Sequence, residues 1–260
     1  MDAILDSCSY IINLDIAHER LEKCIQNLSR AGFTQIERVS GIHASVMSSK
    51  ALADEWALHG SPAIKKTGLK NILLDFHIGR HGVMLSHLNI WKKIIESAGD
   101  DDARFTIFED DIIFHSHWEK LAPIYYSKTP SDFDVVFMGN QIQVIGKDRK
   151  LIPEKCPESE ICSLPSFCLH AYIITRRGAK KLYDAILNYE GGVYTIDLML
   201  FDLMRNLHYT SCPFTWYCWN VANMYPCQEQ IKNKKAISIY YKLRNNGLVF
   251  QNHLDESFIC

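Results

Sequence analysis

Hydrophobic and polar residues near the start of the chain follow two different periods. Residues 10–14 form an apolar run that predicts a buried strand. Leu21, Ile25 and Leu28 then recur at helical spacing, and residues 36–39 predict a second short strand. A strand, a helix and a strand at this spacing form a βαβ unit. Because two strands joined by a helical crossover run in the same direction, the pattern predicts a parallel sheet.

Strand and helix patterns continue to alternate along the rest of the chain. The predicted strands cover residues 104–108, 134–139 and 167–175, and the predicted helices cover residues 82–95, 177–188 and 196–207. Residues 44–79 predict only short helical pieces, and residues 147–165 hold three prolines and predict an exposed loop. The chain shows no repeat and no linker. We therefore expect an α/β fold with a mostly parallel central sheet, in a single domain spanning residues 1–260.

Composition and charge narrow the class of protein. Of the 260 residues, 47% are hydrophobic and 22% are charged, which is typical of a folded globular protein. The net charge of −2 gives no attraction to nucleic acid, which is therefore excluded as the main partner. No apolar run is long enough to cross a bilayer, so we expect no transmembrane segment. The nine cysteines contain no C-x-x-C pair, and we expect reduced thiols.

The acidic triplet Glu109-Asp110-Asp111 is the densest cluster of candidate functional residues, and apolar residues flank it on both sides. Adjacent carboxylates in apolar surroundings repel one another and resist loss of water, and a divalent cation removes both penalties. If the segment is extended, Glu109 and Asp111 share one face, which predicts an oxygen-ligand site for Mn²⁺ or Mg²⁺. The alternative is a solvated acidic turn, which is what residues 100–102 are expected to form.

Several segments together resemble glycosyltransferase family 25, which includes bacterial lipopolysaccharide galactosyltransferases and collagen galactosyltransferase domains. The segments, in chain order, are YIINLD at 10–15 with Arg20, RVSGI at 38–42, GVMLSHLNIW at 82–91, FEDDI at 108–112, AYIIT at 171–175 with GAKKL at 178–182, IDLML at 196–200, and Gln251 with SFI at 257–259. They keep the family's order over most of the chain. Two departures are residues 44–79, which do not align, and Phe258, where the family has aspartate.

The resemblance implies a GT-A-type, Rossmann-like fold that binds a nucleotide sugar, with the nucleotide in about residues 1–140 and the acceptor in about residues 141–260. It also implies a hexose, galactose or glucose, moved with inversion from a UDP-sugar donor to a hydroxyl of a glycan or protein acceptor. The cofactor it implies is Mn²⁺ or Mg²⁺, with Glu109 and Asp111 as ligands. No oligomeric state is predicted.

The resemblance also suggests which residues contact the donor, because open α/β sheets bind ligands at the carboxyl ends of their strands. The predicted donor-binding residues are Asn13, Leu14, Arg20, Gly41, Ser86, His87 and Asp110. Two of them have ordinary structural alternatives. Arg20 could be a surface arginine on a helix, and His87 could be a buried core histidine beside Trp91.

Inverting transfer needs a general base that is separate from the metal ligands, and the family motif suggests Asp197. The alternative for Asp197 is an aspartate that only complements the dipole at the start of its helix. His253 is a candidate third metal ligand, whereas His115 and His117 are expected to be surface histidines. The lysines and Arg244 within residues 232–244 are either a lid over the diphosphate or a solvated face.

Two other functions use the same features. A metal-dependent phosphohydrolase would share the acidic triplet, but the additional ligands of a two-metal site are not evident in the sequence. A non-catalytic glycan-binding relative would not need an intact triplet and Asp197. The N-terminus lacks the basic start and apolar run of a secretory signal, so we expect the protein in the cytoplasm of a bacterium or, for a viral protein, of its host.

Overall fold

The computed structural model describes residues 1–68, 71, 72, 75, 77–142, 161–205, 211–220 and 247–251. The helices in these ranges are α1 (Asp2–Leu5), α2 (His18–Arg30), α3 (Ser49–Ala57), α4 (Pro62–Thr67), α5 (Gly79–Glu96), α6 (Trp118–Lys128), α7 (Arg176–Leu187) and α8 (Ile196–Met204), with a short 3₁₀ helix at Ala44–Val46. The strands are β1 (Cys8–Asn13), β2 (Gln35–Ser40), β3 (Arg104–Glu109), β4 (Ile112–Phe114), β5 (Val135–Ile142), β6 (Ile161–Cys162), β7 (Ser166–Thr175), β8 (Trp216–Trp219) and β9 (Val249–Gln251).

Seven of these strands form one sheet in the order β2-β1-β3-β7-β5-β8-β6. β1 pairs in parallel with β2 and β3, and β5 pairs in parallel with β8, whereas β7 and β6 run the opposite way. The predicted βαβ unit is therefore β1-α2-β2. The predicted fold class, α/β with a mostly parallel central sheet, is confirmed.

Successive residues of the central strands point to opposite faces of the sheet and fill two separate cores. Tyr10 and Tyr172 belong to the core that α5, α7 and α8 cover. Ile11 and Ile173, the next residue in each strand, belong to the core that α2 and α6 cover. Apolar residues run continuously along the strands because both faces of the sheet are buried.

The helical pattern of α2 predicts the right helix, and Leu21 and Leu28 face the core as expected, but Ile25 does not. Cys24 and Leu28 are its buried residues, whereas Ile25 is 37% exposed. Residues 24 and 28 are one turn apart and share one side of the helix, and residue 25 lies about 100° further round. The apolar stripe therefore includes a cysteine in place of the isoleucine.

The acidic triplet is not one extended segment, so strand alternation does not place Glu109 and Asp111 on a common face. Glu109 is the last residue of β3, and Asp110 and Asp111 form a turn that leads into β4. β4 leaves the main sheet and pairs with β9 in a two-stranded antiparallel sheet. The three carboxylates therefore point in directions set by the turn, not by strand alternation.

The remaining expectations concern loops and membrane segments. Within the described ranges, none of the helices has the length and apolarity needed to cross a bilayer. Most of the predicted loop at residues 147–165 lies outside the described residues, as do His253 and residues 232–244.

Candidate active site at the carboxyl end of the sheet

The carboxyl ends of β1, β2 and β3 lie side by side because these strands are parallel neighbours. Asn13 pairs with Ser40, and Ile12 pairs with Glu109, at the ends of the three strands. Polar residues that follow these strands are thereby brought to one edge of the sheet, where open α/β sheets bind ligands. The predicted donor-binding and metal-binding residues of the first half of the chain meet at this edge.

Asp110 joins the end of β1, the start of α2 and the acidic turn. Asn13 Nδ2 donates a 2.6 Å hydrogen bond to Asp110 Oδ2, and Arg20 Nη2 lies 3.0 Å from Asp110 Oδ1. Asp110 is only 7% exposed, and burial raises its pKa although the Asn13 hydrogen bond and the Arg20 charge act to lower it. Both oxygens of Asp110 are engaged by the chain itself, so this carboxylate orients Asn13 and Arg20 at the edge of the sheet.

Arg38, on the neighbouring strand β2, holds Asn13 in place through hydrogen bonds. Its Nε donates to Asn13 Oδ1 at 3.0 Å, its Nη2 donates to the Asn13 carbonyl at 3.2 Å, and it also pairs with Asp15. The Gly41 amide donates to the same carbonyl at 2.9 Å, which holds the segment after β2 against residues 13 and 14. Arg38 lies in the RVSGI segment at residues 38–42. Sequence alone assigned it no role, because its hydrogen-bond partner Asn13 lies 25 residues earlier in the chain.

Ser86 ties α5 to the segment that follows β2. Its Oγ donates to the Gly82 carbonyl at 2.7 Å and accepts from the Ile42 amide at 2.8 Å, and the residue is 2% exposed. A Cβ on Gly82 would lie 2.2 Å from the Ile42 carbonyl oxygen, so only glycine permits this approach. The donor-binding role of Ser86 stays a prediction, and the contacts present are structural.

His87 lies next to Ser86 and is fully buried. Its Nδ1 is 2.9 Å from the Tyr172 hydroxyl, and its Nε2 is 3.6 Å from Glu109 Oε1. Trp91 packs beside it, with ring centroids 6.0 Å apart. The structure therefore confirms the core position of His87 beside Trp91 and also places it behind the acidic site, while its contact with the donor stays a prediction.

Glu109 is held from two sides. Gln251 Nε2 donates a 2.8 Å hydrogen bond to its Oε2, and His87 lies behind its Oε1. Burial acts to raise the pKa of Glu109, but His87, His170 and Gln251 together outweigh burial and lower it. Glu109 is therefore the member of the triplet that most readily stays ionised.

Gln251 reaches Glu109 because β9 is anchored. Gln251 pairs with Ile112 across the small sheet, and His170 Nε2 donates to the Val249 carbonyl at 3.0 Å. A Cβ on Gly139 would lie 2.0 Å from His170 Nε2 and 2.5 Å from the same carbonyl oxygen, so this packing requires glycine in β5. Gln251 belongs to the weak closing motif, and no local pattern could have shown that it contacts the acidic triplet.

Asp111 carries the least compensated charge of the triplet. Its Oδ1 is buried and has no hydrogen-bond partner in the described part of the chain. Burial and the charges of Glu109 and Asp110 raise the pKa of Asp111 to about 7. A buried, unpaired carboxylate oxygen costs free energy that a bound cation would recover.

The donor set fits a hard cation that keeps open positions. Among the described residues no group of three or more His, Cys, Asp or Glu side chains is arranged to hold a metal ion. Mg²⁺ and similar cations are commonly held by one or two carboxylates together with substrate phosphates. Glu109 and Asp111 suit that kind of site, and His253, the candidate third ligand, lies outside the described residues.

Asp197 lies in the first turn of α8, where the charge of Glu109 acts on it. Its Oδ1 accepts a 2.9 Å hydrogen bond from the Leu198 amide. Burial raises the pKa of Asp197, and the charge of Glu109 raises it further, while the Leu198 hydrogen bond and His87 oppose the change. The fold thus brings Asp197 into the electrostatic field of Glu109, 88 residues earlier in the chain, while its helix-start position also persists.

The two histidines after the acidic turn differ from expectation. His117 is exposed, as expected, but His115 is 4% exposed. The His115 Nδ1 accepts the His117 backbone N–H at 3.0 Å. His115 therefore closes the turn before α6, and the expectation of a surface position is wrong for it because β9 packs over it.

Comparisons with known proteins agree with the sequence motifs. Procollagen galactosyltransferase 1-A of Xenopus laevis is 30% identical over 110 residues, covering 41% of this chain and 17% of the relative. A glycosyltransferase 25 family member of Anopheles gambiae is 25% identical over 175 residues, covering 66% of this chain and 28% of the relative. The chain therefore spans well under a third of the length of these relatives.

Two solved structures share low similarity with this chain. Apo mouse xyloside xylosyltransferase 1 aligns with a TM-score of 0.37 and 10% identity, covering 77% of this chain and 81% of that one. A glycosyltransferase involved in glycosylation of the PBCV-1 major capsid aligns with a TM-score of 0.37 and 8% identity, covering 81% and 80%. TM-scores at this level are too low to transfer function.

The family model described as glycosyltransferase family 25 (LPS biosynthesis protein) matches residues 7–200. This range contains the three parallel strand ends, the acidic triplet, the His87 helix and Asp197. The chain belongs to glycosyltransferase family 25.

Proposed function

We propose that this chain transfers a hexose from a UDP-sugar to a hydroxyl group of a glycan or protein, with inversion at the anomeric carbon. Family membership supports glycosyl transfer. The names of the procollagen galactosyltransferases among its relatives make UDP-galactose the first donor to test, with UDP-glucose second. The observation that carries the proposal is the buried oxygen of Asp111 beside Glu109 at the carboxyl end of the sheet, which has no hydrogen-bond partner among the described residues.

A divalent cation, Mn²⁺ or Mg²⁺, would be held by Glu109 and Asp111. Bound there with the diphosphate, it would neutralise charge that develops on the leaving UDP. Without a cation, the carboxylates and the diphosphate would repel one another. Donor binding is therefore expected to depend on the cation.

Four of the predicted donor-binding residues build the pocket around the diphosphate and nucleoside: Asn13, Arg20, Gly41 and Asp110. Asp110 orients Asn13 and Arg20, and the Gly41 amide holds the neighbouring segment to the end of β1. Arg20 supplies positive charge where the strand ends converge. Its pairing with Asp110 keeps its guanidinium at the edge of the sheet before the donor arrives.

Asp197 is the proposed general base. In the transfer it accepts the proton of the acceptor hydroxyl, whose oxygen forms a bond to the anomeric carbon as the bond from that carbon to the UDP phosphate oxygen breaks. A base with a raised pKa is better matched to a hydroxyl proton than an ordinary aspartate is. Burial and the charge of Glu109 both raise the pKa of Asp197.

The proposal is tested by incubating the protein with separate UDP-sugars and Mn²⁺ and measuring UDP release together with the fate of the sugar. Glycosyl transfer predicts UDP release that rises when a hydroxyl acceptor is added, with the sugar recovered on the acceptor. Release of sugar phosphate and UMP would instead show a phosphohydrolase. Binding of UDP-sugar without turnover on any acceptor tried would favour a non-catalytic relative and contradict the proposal.

A further inference from the structure

Three buried side chains behind Glu109 form a hydrogen-bonded chain that the roles above do not use. Trp91 Nε1 donates to the Tyr172 hydroxyl oxygen at 2.9 Å, and the same oxygen lies 2.9 Å from His87 Nδ1. All three residues have 0% exposure. They come from α5 and β7, which lie on either side of the interface between a helix and the sheet.

The direction of each hydrogen bond follows from the available protons. An indole N–H can only donate, so the Tyr172 oxygen accepts from Trp91. The Tyr172 hydroxyl proton then needs an acceptor, because an unsatisfied buried donor is costly. His87 Nδ1 is the acceptor within reach. Since Nδ1 accepts, the neutral His87 ring carries its proton on Nε2.

The protonated Nε2 faces the acidic site. It lies 3.6 Å from Glu109 Oε1, which is longer than a hydrogen bond, and within the described residues it has no hydrogen-bond partner. Gln251 already holds the other oxygen of Glu109 at 2.8 Å. A displacement of the Glu109 carboxylate by well under 1 Å toward His87 would complete a second hydrogen bond and fix the orientation of the carboxylate plane.

We propose that His87 is a positioning residue for Glu109: the Trp91–Tyr172 pair keeps the proton of His87 on Nε2, and that N–H orients the Glu109 carboxylate toward the cation. The inference rests on the proposed function, because it assigns His87 a role through a cation ligand. His87 does not contact the donor in this role. Outer residues that orient metal ligands typically change cation affinity by ~10–100-fold when they are altered.

The tautomer can be measured directly on the 260-residue chain. Selective ¹⁵N labelling of histidine, with NMR detection of each ring nitrogen, should show His87 protonated on Nε2 and unprotonated on Nδ1, and Tyr172→Phe should change that signal. An Nδ1–H tautomer in the unaltered protein would overturn the proposal. This measurement needs neither cation nor activity.

Two substitutions separate positioning from packing. In His87→Gln the amide nitrogen takes roughly the place of Nε2 and can still donate to Glu109, whereas in His87→Asn the amide takes the place of Nδ1 and can only satisfy Tyr172. Mn²⁺ affinity, titrated on the protein alone by the loss of the free-ion EPR signal, should fall ~10–100-fold in His87→Asn and far less in His87→Gln. Equal losses in the two variants, or the reverse order, would reduce His87 to a packing role.

His59 provides a matched control. Its Nδ1 is also 2.9 Å from a tyrosine hydroxyl, that of Tyr183, and it is 7% exposed. His59→Gln and His59→Asn should leave Mn²⁺ affinity unchanged, although they can lower the melting temperature. A loss of Mn²⁺ affinity in both His59 variants equal to that of His87→Asn would mean that general destabilisation causes the effect, and would contradict the proposal.

Glu109→Gln distinguishes failure of this inference from failure of the proposed function. If Glu109→Gln weakens Mn²⁺ binding but the two His87 variants behave alike, the cation site stands and the positioning role fails. If Glu109→Gln leaves Mn²⁺ binding intact, the assignment of Glu109 in the proposed function fails, and the role of His87 fails with it. UDP-sugar turnover in the unaltered protein is judged separately from both results.

Discussion

Gln251 Nε2 donates a 2.8 Å hydrogen bond to Glu109 Oε2, although 142 residues separate the two along the chain. The contact joins the last described strand to the first residue of the acidic triplet. It satisfies one oxygen of Glu109 and leaves the carboxylate able to face a cation. The orientation of Glu109, the proposed cation ligand, thus depends on a segment far away in sequence.

Gln251→Leu should weaken cation binding by ~10–100-fold, because the substitution removes the donor that orients Glu109 while keeping similar side-chain volume. The measurement is the Mn²⁺ concentration that gives half-maximal UDP release. Gln26→Leu, an exposed glutamine on α2, is the matched control and should change nothing. An unaltered Mn²⁺ requirement in Gln251→Leu would show that the hydrogen bond does not orient the ligand.

Asp111→Asn should remove most turnover and leave the fold intact. The substitution keeps the shape of the side chain but removes one charge from the proposed hard-cation site. A cation there would stabilise the transition-state charge by several kcal/mol, and losing that stabilisation corresponds to roughly 10²–10³-fold in rate. In thermal-shift assays, UDP should stabilise the unaltered protein more with Mn²⁺ than with EDTA, and this difference should disappear in Asp111→Asn. Asp100→Asn, on the exposed acidic turn, is the control. Near-normal turnover in Asp111→Asn at modest Mn²⁺ would exclude Asp111 as a ligand.

The pKa of Asp111, raised to about 7 from an ordinary value of 3.8, predicts two opposite pH effects. A proton on Asp111 competes with the cation, so Mn²⁺ affinity should fall as the pH drops below about 7. Without Mn²⁺, the folded protein binds this proton more tightly than the unfolded chain does. The contribution of Asp111 to the free energy of unfolding should therefore be greatest below pH 4 and be lost as the pH rises through 7.

Asp111→Asn should flatten both pH profiles between pH 5 and 8, as measured by chemical unfolding in EDTA and by Mn²⁺ titration (the interval spans the pKa of about 7). The comparison is made as a difference between the variant and the unaltered protein, since burial also raises the pKa values of Asp110 and Asp197. Identical profiles in the two proteins would mean that Asp111 ionises normally.

Asp197→Asn should lower turnover by ~10²–10⁴-fold while UDP-sugar affinity stays nearly unchanged, because a general base acts on the acceptor hydroxyl in the transition state. The asparagine Oδ1 can still accept the 2.9 Å hydrogen bond that Asp197 receives from the Leu198 amide. Turnover and donor affinity are measured in parallel on the folded variant. Retained turnover with only a modest drop in melting temperature would assign Asp197 to the helix start and leave the base unidentified.

Asp134→Ala should destabilise the fold without affecting the site. Asp134 is fully buried at the opposite end of the sheet and accepts from Arg177 at 2.9 Å, from Lys181 at 2.7 Å and from the Thr215 amide at 2.7 Å. The side chains of Arg177 and Lys181 are about a third exposed, so water can solvate their charges after the substitution. The expected loss in the free energy of unfolding is therefore ~1–3 kcal/mol, mainly because the Thr215 amide loses its hydrogen-bond acceptor. Unfolding by urea measures this loss. A change in the Mn²⁺ requirement of the folded variant would contradict the separation of the two ends.

The order of strands and helices could be predicted from the sequence because periodicity is a local property. The pattern from residue 10 to residue 39 identified the β1-α2-β2 unit and its parallel pairing. Buried strands produce continuous apolar runs, and helices produce a repeat of 3.6, whatever they pack against. The acidic triplet was also visible, because three carboxylates between apolar segments are locally costly.

Only the tertiary structure decided what each polar side chain contacts. A turn at Asp110 and Asp111 replaced the expected alternation, so Asp110 meets Asn13 and Arg20 while Asp111 keeps a buried oxygen without a partner in the described chain. His87 was visible as a candidate, but its burial against Tyr172 depends on how α5 packs on β7, and Glu109 meets Gln251 only because β9 pairs with β4. Such contacts join residues far apart in sequence, and their energies depend on distance, burial and direction in space, none of which a local pattern of residue types contains.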